Sequence, residues 1–152
     1  MAEQIVLLRS IDISAEPAEV AAAISDFHRW VEWSPFEGLD SNLARTYSGP
    51  QSGVGAAYAW EGNRQAGAGR MAVTSATDDE VGVKVNFLKP FKSESQSTFT
   101  MAPTAAGTHV AWQMSFEKTV LARVMSLVAP YEKVLGPELD KGLAKLKVVL
   151  EK

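Results

Sequence analysis

The chain has 152 residues, 46% hydrophobic and 22% charged, with a formal net charge of -3 and no cysteine. That length predicts a single domain, 1–152, with its own core. The charge gives no clustered basic face for a nucleic-acid partner, and the lack of cysteine excludes disulfides, thiol catalysis, Fe–S clusters and thiolate zinc sites. Met1-Ala2-Glu3-Gln4 lacks the basic and apolar regions of a secretory signal. No apolar run approaches the ~20 residues that span a bilayer. The expectation is a cytoplasmic protein without integral membrane association.

Residues 4–13 place Ile5, Leu7, Ile11 and Ile13 at even spacing, which predicts a strand, and Val6 and Leu8 make its opposite face apolar near the start. Ser14-Ala15-Glu16-Pro17 reads as a strand end and helix start, with Pro17 near the first helical position. Val20, Ile24 and Phe27 continue as one buried helical stripe. Asp26 is placed to cap a second short helix over 27–32, and Trp33-Ser34-Pro35 ends it, because the residue before a proline avoids the helical region.

From 43 to 117 the pattern has period two, with Gly, Pro, Asn and Asp as punctuation. Tyr58 and Trp60 share one strand face, Gly62-Asn63 marks a hairpin, Met71 and Val73 share the next face, and Asp78-Asp79 marks another turn. Val81, Val83, Val85 and Phe87 oppose Gly82, Lys84, Asn86 and Leu88, until Pro90 breaks the strand. Ser93, Ser95, Ser97, Phe99 and Met101 face one way. Pro103 to Gly107 form a turn, after which Val110, Trp112, Met114 and Phe116 oppose His109, Ala111, Gln113 and Ser115. Strands joined by short turns predict an antiparallel meander.

Residues 119–151 return to helical spacing, with Leu121, Met125, Val128, Leu135, Leu139, Leu143, Leu146 and Leu150 in one stripe. Glu138 and Asp140 open its last part and Lys145, Lys147 and Lys152 close it, as the helix dipole prefers. Pro130 and Gly136-Pro137 predict two or three helical pieces, with a break near a cavity entrance.

Three stretches in the first part of the chain carry a family likeness: Asp26-Phe27-His28-Arg29-Trp30-Val31-Glu32-Trp33-Ser34-Pro35, Tyr47-Ser48-Gly49-Pro50 with Gly53-Val54-Gly55, and Tyr58-Ala59-Trp60-Glu61-Gly62-Asn63. Gly67-Ala68-Gly69-Arg70-Met71, Lys89-Pro90-Phe91, Gly107-Thr108-His109-Val110-Ala111-Trp112 and Gly142-Leu143-Ala144-Lys145-Leu146-Lys147 extend it over nearly the whole chain. In these the chain resembles the polyketide cyclase/dehydrase and lipid-transport branch of the START-like, or Bet v 1-like (SRPBCC), superfamily. The resemblance implies an α+β helix-grip fold: a curved antiparallel meander, two short N-terminal helices and a long, interrupted C-terminal helix. It also implies a cavity between sheet and helix for lipids, polyketides or other apolar molecules.

The aromatic and methionine residues are the most informative site feature. Trp30, Trp33, Tyr58, Trp60, Met71, Phe87, Phe99, Met101, Trp112 and Met114, with Met125 and Leu139 from the helical segment, are the candidate ligand-binding set. Plain core packing is the alternative for each of them. Gly49, Gly53, Gly55, Gly62, Gly67, Gly69, Gly82 and Gly107 lie near strand ends and read as turns and bulges, since none opens a helix as a phosphate loop would. Arg9 shares parity with Leu7 and Ile11. If that face is interior its guanidinium needs a carboxylate or water, or would meet an anionic ligand head group; Glu61 is a candidate partner or general base, and a solvent-exposed end is the alternative for both. His28 is a candidate acid or base near the cavity mouth, whereas His109 faces solvent. The two histidines have no acidic residue at ligand spacing, so no metal site and no cofactor is expected.

The leading reading is binding or carriage of a small hydrophobic molecule. A second is a cyclase- or dehydratase-type enzyme using Glu61, Arg9, Tyr58 or His28 for proton transfer. A third is a protein-interaction or stress-regulatory module, which needs an exposed apolar patch away from the cavity.

Overall fold

Among the described residues the period-two alternation becomes seven strands: β1 (Gln4–Ile13), β2 (Ala44–Ser48), β3 (Ala57–Glu61), β4 (Ala68–Ala76), β5 (Glu80–Lys89), β6 (Ser93–Thr104) and β7 (Gly107–Glu117). The structure is a computed structural model that describes residues 4–34, 43–62, 67–89, 93–117 and 131–151. All seven strands lie in one antiparallel sheet, in the order β1-β7-β6-β5-β4-β3-β2. Strands β2 to β7 form a meander, and β1 closes on β7 from the other end of the chain. Register shifts between Ala68 and Gly69 and between Val73 and Ser75 bend the middle of the sheet.

Helix α1 (Pro17–Ile24) starts on Pro17, whose missing N–H would have been unpaired in the first turn anyway. It buries Val20, Ala21, Ala23 and Ile24 and packs against β5, β6 and β7. A 3-10 helix (Phe27–Glu32) follows, and Asp26 caps it by accepting the His28 N–H at 2.9 Å. Phe27 remains buried although α1 has ended before it. Trp30 Nε1 donates to Ile24 O at 2.7 Å and ties the two helices together.

Two expectations need correction. The turn predicted over Pro103–Gly107 is narrower, because the strands pair up to Thr104 and Gly107 and leave only Ala105-Ala106 between them. Pro103 is tolerated inside β6 for a geometric reason. Met101 N donates sideways to Asp79 O at 2.8 Å, so by alternation the Pro103 nitrogen also points away from β7 and no ladder bond is lost. The second correction concerns the C-terminal helix, α2 (Tyr131–Leu150), which runs unbroken through Gly136-Pro137. Leu139, Leu143 and Leu146 are fully buried. Each such side chain contributes about 1.5–3 kcal/mol, more in sum than the ~3 kcal/mol that an interior proline costs. Pro130, Leu121, Met125 and Val128 lie outside the described residues.

Sheet-edge strand β1 is protected by side chains. Arg9 Nη1 donates to Leu8 O at 3.2 Å, Lys147 Nζ donates to Asp12 O at 2.9 Å, and Ser14 N donates to Glu151 Oε2 at 2.9 Å. These bonds occupy backbone groups that a foreign strand would otherwise pair with. The Lys147 ammonium, and then the Ser14 N–H, hold the Glu151 carboxyl below the usual glutamate range. A lowered acid pKa adds stability above the unfolded value and loses it as pH falls through the folded value. Protection of the Ser14 amide from hydrogen exchange, corrected for intrinsic rates, is therefore expected to drop as pH falls below the ordinary glutamate range. In Glu151→Gln it should be low and flat across the same pH range. Equal pH profiles for the two proteins would refute the tether.

Candidate functional site

Cross-strand register sorts the concave face into rows. Arg9, Trp112, Phe99, Val81 and Ala76 form the first, and Leu7, Met114, Ser97, Val83 and Val73 the second. The third takes Ser95, Val85, Met71, Tyr58 and Tyr47. The fourth takes Phe87, Gly69, Trp60 and Arg45. Antiparallel partners point to the same side, so each row is a line of side chains across the sheet.

Burial falls along these rows. Trp112, Phe99 and Val81 in the first are fully buried, as are Val83 and Val73 in the second. Ser95, Val85 and Tyr58 in the third are still buried, but Met71 and Tyr47 are half-buried. In the fourth, Trp60 and Phe87 are half-buried and Arg45 is exposed. The deep end is sealed by Trp33, which stands edge-on to Phe99 and Trp112 at 5.9 Å from each, while Trp30 lies edge-on to Phe99 at 6.1 Å. Phe99 and Trp112 stack at 4.8 Å, and Trp112 Nε1 donates to Ser97 Oγ at 3.2 Å.

The candidate ligand-binding set thus divides. Trp30, Trp33, Phe99, Met101, Trp112 and Met114 sit in the closed cluster, and Leu139 is buried on α2. Tyr58, Trp60, Met71 and Phe87 lie at the open end, where Trp60 stacks on Tyr58 at 6.1 Å and meets Phe87 edge-on at 5.8 Å. Met125 lies outside the described residues. Gly69 forms the floor there: a Cβ on it would stand 2.5 Å from Trp60 Cη2 and 2.7 Å from Asn86 O, so only glycine lets the indole lie down on β4.

The polar candidates are scattered. Arg9 has the predicted parity but a different partner: its Nε lies 3.3 Å from Asp140 Oδ2 of α2. Glu61 is not that partner, since β3 and β1 lie near opposite edges of the sheet, and Glu61 is exposed. Gly136 lies against the Arg9 guanidinium, so a side chain there would require the arginine to move aside. His28 is exposed and stacks on Tyr47 at 3.9 Å, with Nδ1 3.1 Å from Asp26 Oδ1. It lines a surface cleft of about 250 Å³ with Phe27, Tyr47, Gly49, Pro50 and Gln51. His109 faces solvent as expected and pairs with Asp12 at 2.7 Å.

Two residues escaped the sequence reading. Spacing marks Asp140 only as a helix-dipole residue, and Ser95 only as one of a row that faces one way. Among the described residues no group of three or more His, Asp or Glu side chains is gathered for a metal. No helix there is long and apolar enough to cross a membrane. Val6 and Leu8, on the outer face of β1, are 54% and 56% exposed.

The sequence profile of the family described as polyketide cyclase / dehydrase and lipid transport matches residues 4–151. Among solved structures the chain is similar to the KanY protein, with 22% identity, 99% of each chain covered and a TM-score of 0.71. It is similar to the di-domain ARO/CYC StfQ from the steffimycin biosynthetic pathway, with 12% identity, 97% of this chain and 51% of that one covered, and a TM-score of 0.71. A third is Aha1 from Colwellia psychrerythraea, solved as a dimer, with 16% identity, 97% and 96% covered, and a TM-score of 0.65. At these identities the likeness concerns the fold, a helix-grip α+β arrangement. No curated protein matches the sequence.

Proposed function

The chain belongs to the polyketide cyclase / dehydrase and lipid transport family, and on that premise we propose that it binds a small hydrophobic molecule at the open end of its concave sheet face. One observation carries this reading. Large apolar side chains on an inward face, Trp60, Phe87 and Met71, are only half-buried, while their neighbours two rows deeper are sealed. Half-buried aromatic surface over a glycine floor favours a flat apolar molecule, which gains roughly 25 cal/mol per Å² of surface removed from water before association costs. The closed cluster around Trp112 serves as the back wall and is not itself the binding surface.

The test uses N-phenyl-1-naphthylamine, an uncharged apolar fluorophore, with oleate and quercetin as competitors. Emission is expected to rise on binding, and at least one competitor is expected to displace the probe. Trp60→Ala is expected to weaken binding about tenfold or more, and His109→Ala by less than about twofold. If the probe and competitors leave emission and thermal stability unchanged, the reading fails.

A second reading, proton transfer, is favoured by the Asp26–His28 pair. With Nδ1 3.1 Å from Asp26 Oδ1, donation from Nδ1 to that oxygen would leave Nε2 as the accepting nitrogen of the ring. Loss of turnover in His28→Ala with probe binding intact would favour it.

A further inference from the structure

The interior holds two polar atoms with no partner among the described residues, Ser95 Oγ and Trp33 Nε1. Ser95 is 6% exposed and Trp33 0%. Buried groups of this kind are almost always hydrogen-bonded, and leaving one unpaired disfavours the fold. Ser97, the next inward residue on β6, has its indole partner in Trp112. Ser95 has none, and it stands at a particular place. Its row carries Val85, Met71, Tyr58 and Tyr47, and the half-buried Phe87 is one row further out. Ser95 is therefore a buried hydroxyl one row inside Phe87, in the same row as Tyr58 and Tyr47.

We propose that Ser95 is the polar anchor of this site and takes the carbonyl oxygen of an uncharged, mostly apolar ligand. This rests on the binding reading above and narrows its ligand class. A serine hydroxyl can donate or accept, and donation to a ligand carbonyl oxygen is the pairing proposed for it. No residue of the Ser95 row is a lysine, arginine or histidine, so a carboxylate there would be buried without a counter-charge. Arg9, on the first row, is already engaged by Asp140. Arg45 lies at the mouth, opposite Trp60.

Three probes of nearly one shape separate the alternatives: 2-acetylnaphthalene, 2-ethylnaphthalene and 2-naphthoate, each titrated by calorimetry. The ketone is expected to bind the wild-type chain about tenfold more tightly than the hydrocarbon, and the carboxylate no more tightly than the ketone. Ser95→Ala is expected to erase the ketone's advantage while the hydrocarbon's affinity stays within about twofold, which also reports that the variant is folded. Equal wild-type affinities for ketone and hydrocarbon would overturn the anchor while leaving the binding reading standing. So would a ketone advantage that survives in Ser95→Ala, the outcome if a buried water satisfies the hydroxyl, or a preference for the carboxylate. If none of the three binds, the binding reading itself falls, and the anchor with it.

Discussion

Replacing Trp112 by alanine is expected to lower the unfolding free energy by about 3–5 kcal/mol, the range for deleting a large buried aromatic side chain. Small domains are stable by only about 5–15 kcal/mol in total, so this is a large share of the whole. Trp112 is 1% exposed, stacks on Phe99 at 4.8 Å and receives the edge of Trp33 at 5.9 Å. Its loss empties the space that those rings enclose and removes the donor to Ser97 Oγ. The neighbouring His109 points to the other face and makes a surface pair with Asp12. His109→Ala is therefore expected to change stability by no more than about 1 kcal/mol. Urea unfolding of both variants decides the matter. A loss below about 1.5 kcal/mol in Trp112→Ala would mean that the deep end is not sealed as described, and that the back wall of the proposed site is itself open space.

Gly107→Ala is expected to cost about 3 kcal/mol, through backbone strain and collision together. Gly107 sits at φ +153°, where the β6–β7 hairpin lies against the end of β1. An added Cβ would collide with Ile13 O and stand 2.9 Å from Ala15 N and from Ser14 Cα. These are backbone atoms, which cannot rotate aside. The same contact is fastened next door, where Thr108 Oγ1 donates to Ala15 O at 2.6 Å. Gly53 provides the control: its φ is +82°, yet an added Cβ meets nothing within 4 Å. Gly53→Ala should carry only the conformational penalty, about 1 kcal/mol. Thermal unfolding showing equal losses in the two variants would dismiss the collision and leave conformation alone.

Local geometry was legible in the residues alone. Alternation told which side chains share a face, because the period of a strand is a property of its own backbone, and Val81, Val83 and Val85 point inward as read. Asp26 was legible as a cap and Pro17 as a helix start for the same reason, since each acts within one turn. Parity, however, gives the face and not the depth. Trp60 and Trp112 have equivalent patterns, yet one is half-buried and the other sealed. Depth was decided by where the 3-10 helix lays Trp33 on the sheet, a contact between residues far apart in the chain. The partner of Arg9 was decided by the docking of α2 on β1, which brings up Asp140 and leaves Glu61 near the other edge. The same docking carries α2 straight through Pro137, because burial of its leucines outweighs a rule that holds for an isolated helix. Ser95 looked like one serine in an inward row, and only packing revealed that its neighbour is satisfied and it is not. Spacing along a chain reports what neighbouring residues impose on each other, whereas burial and pairing across the sheet depend on how distant segments close over it.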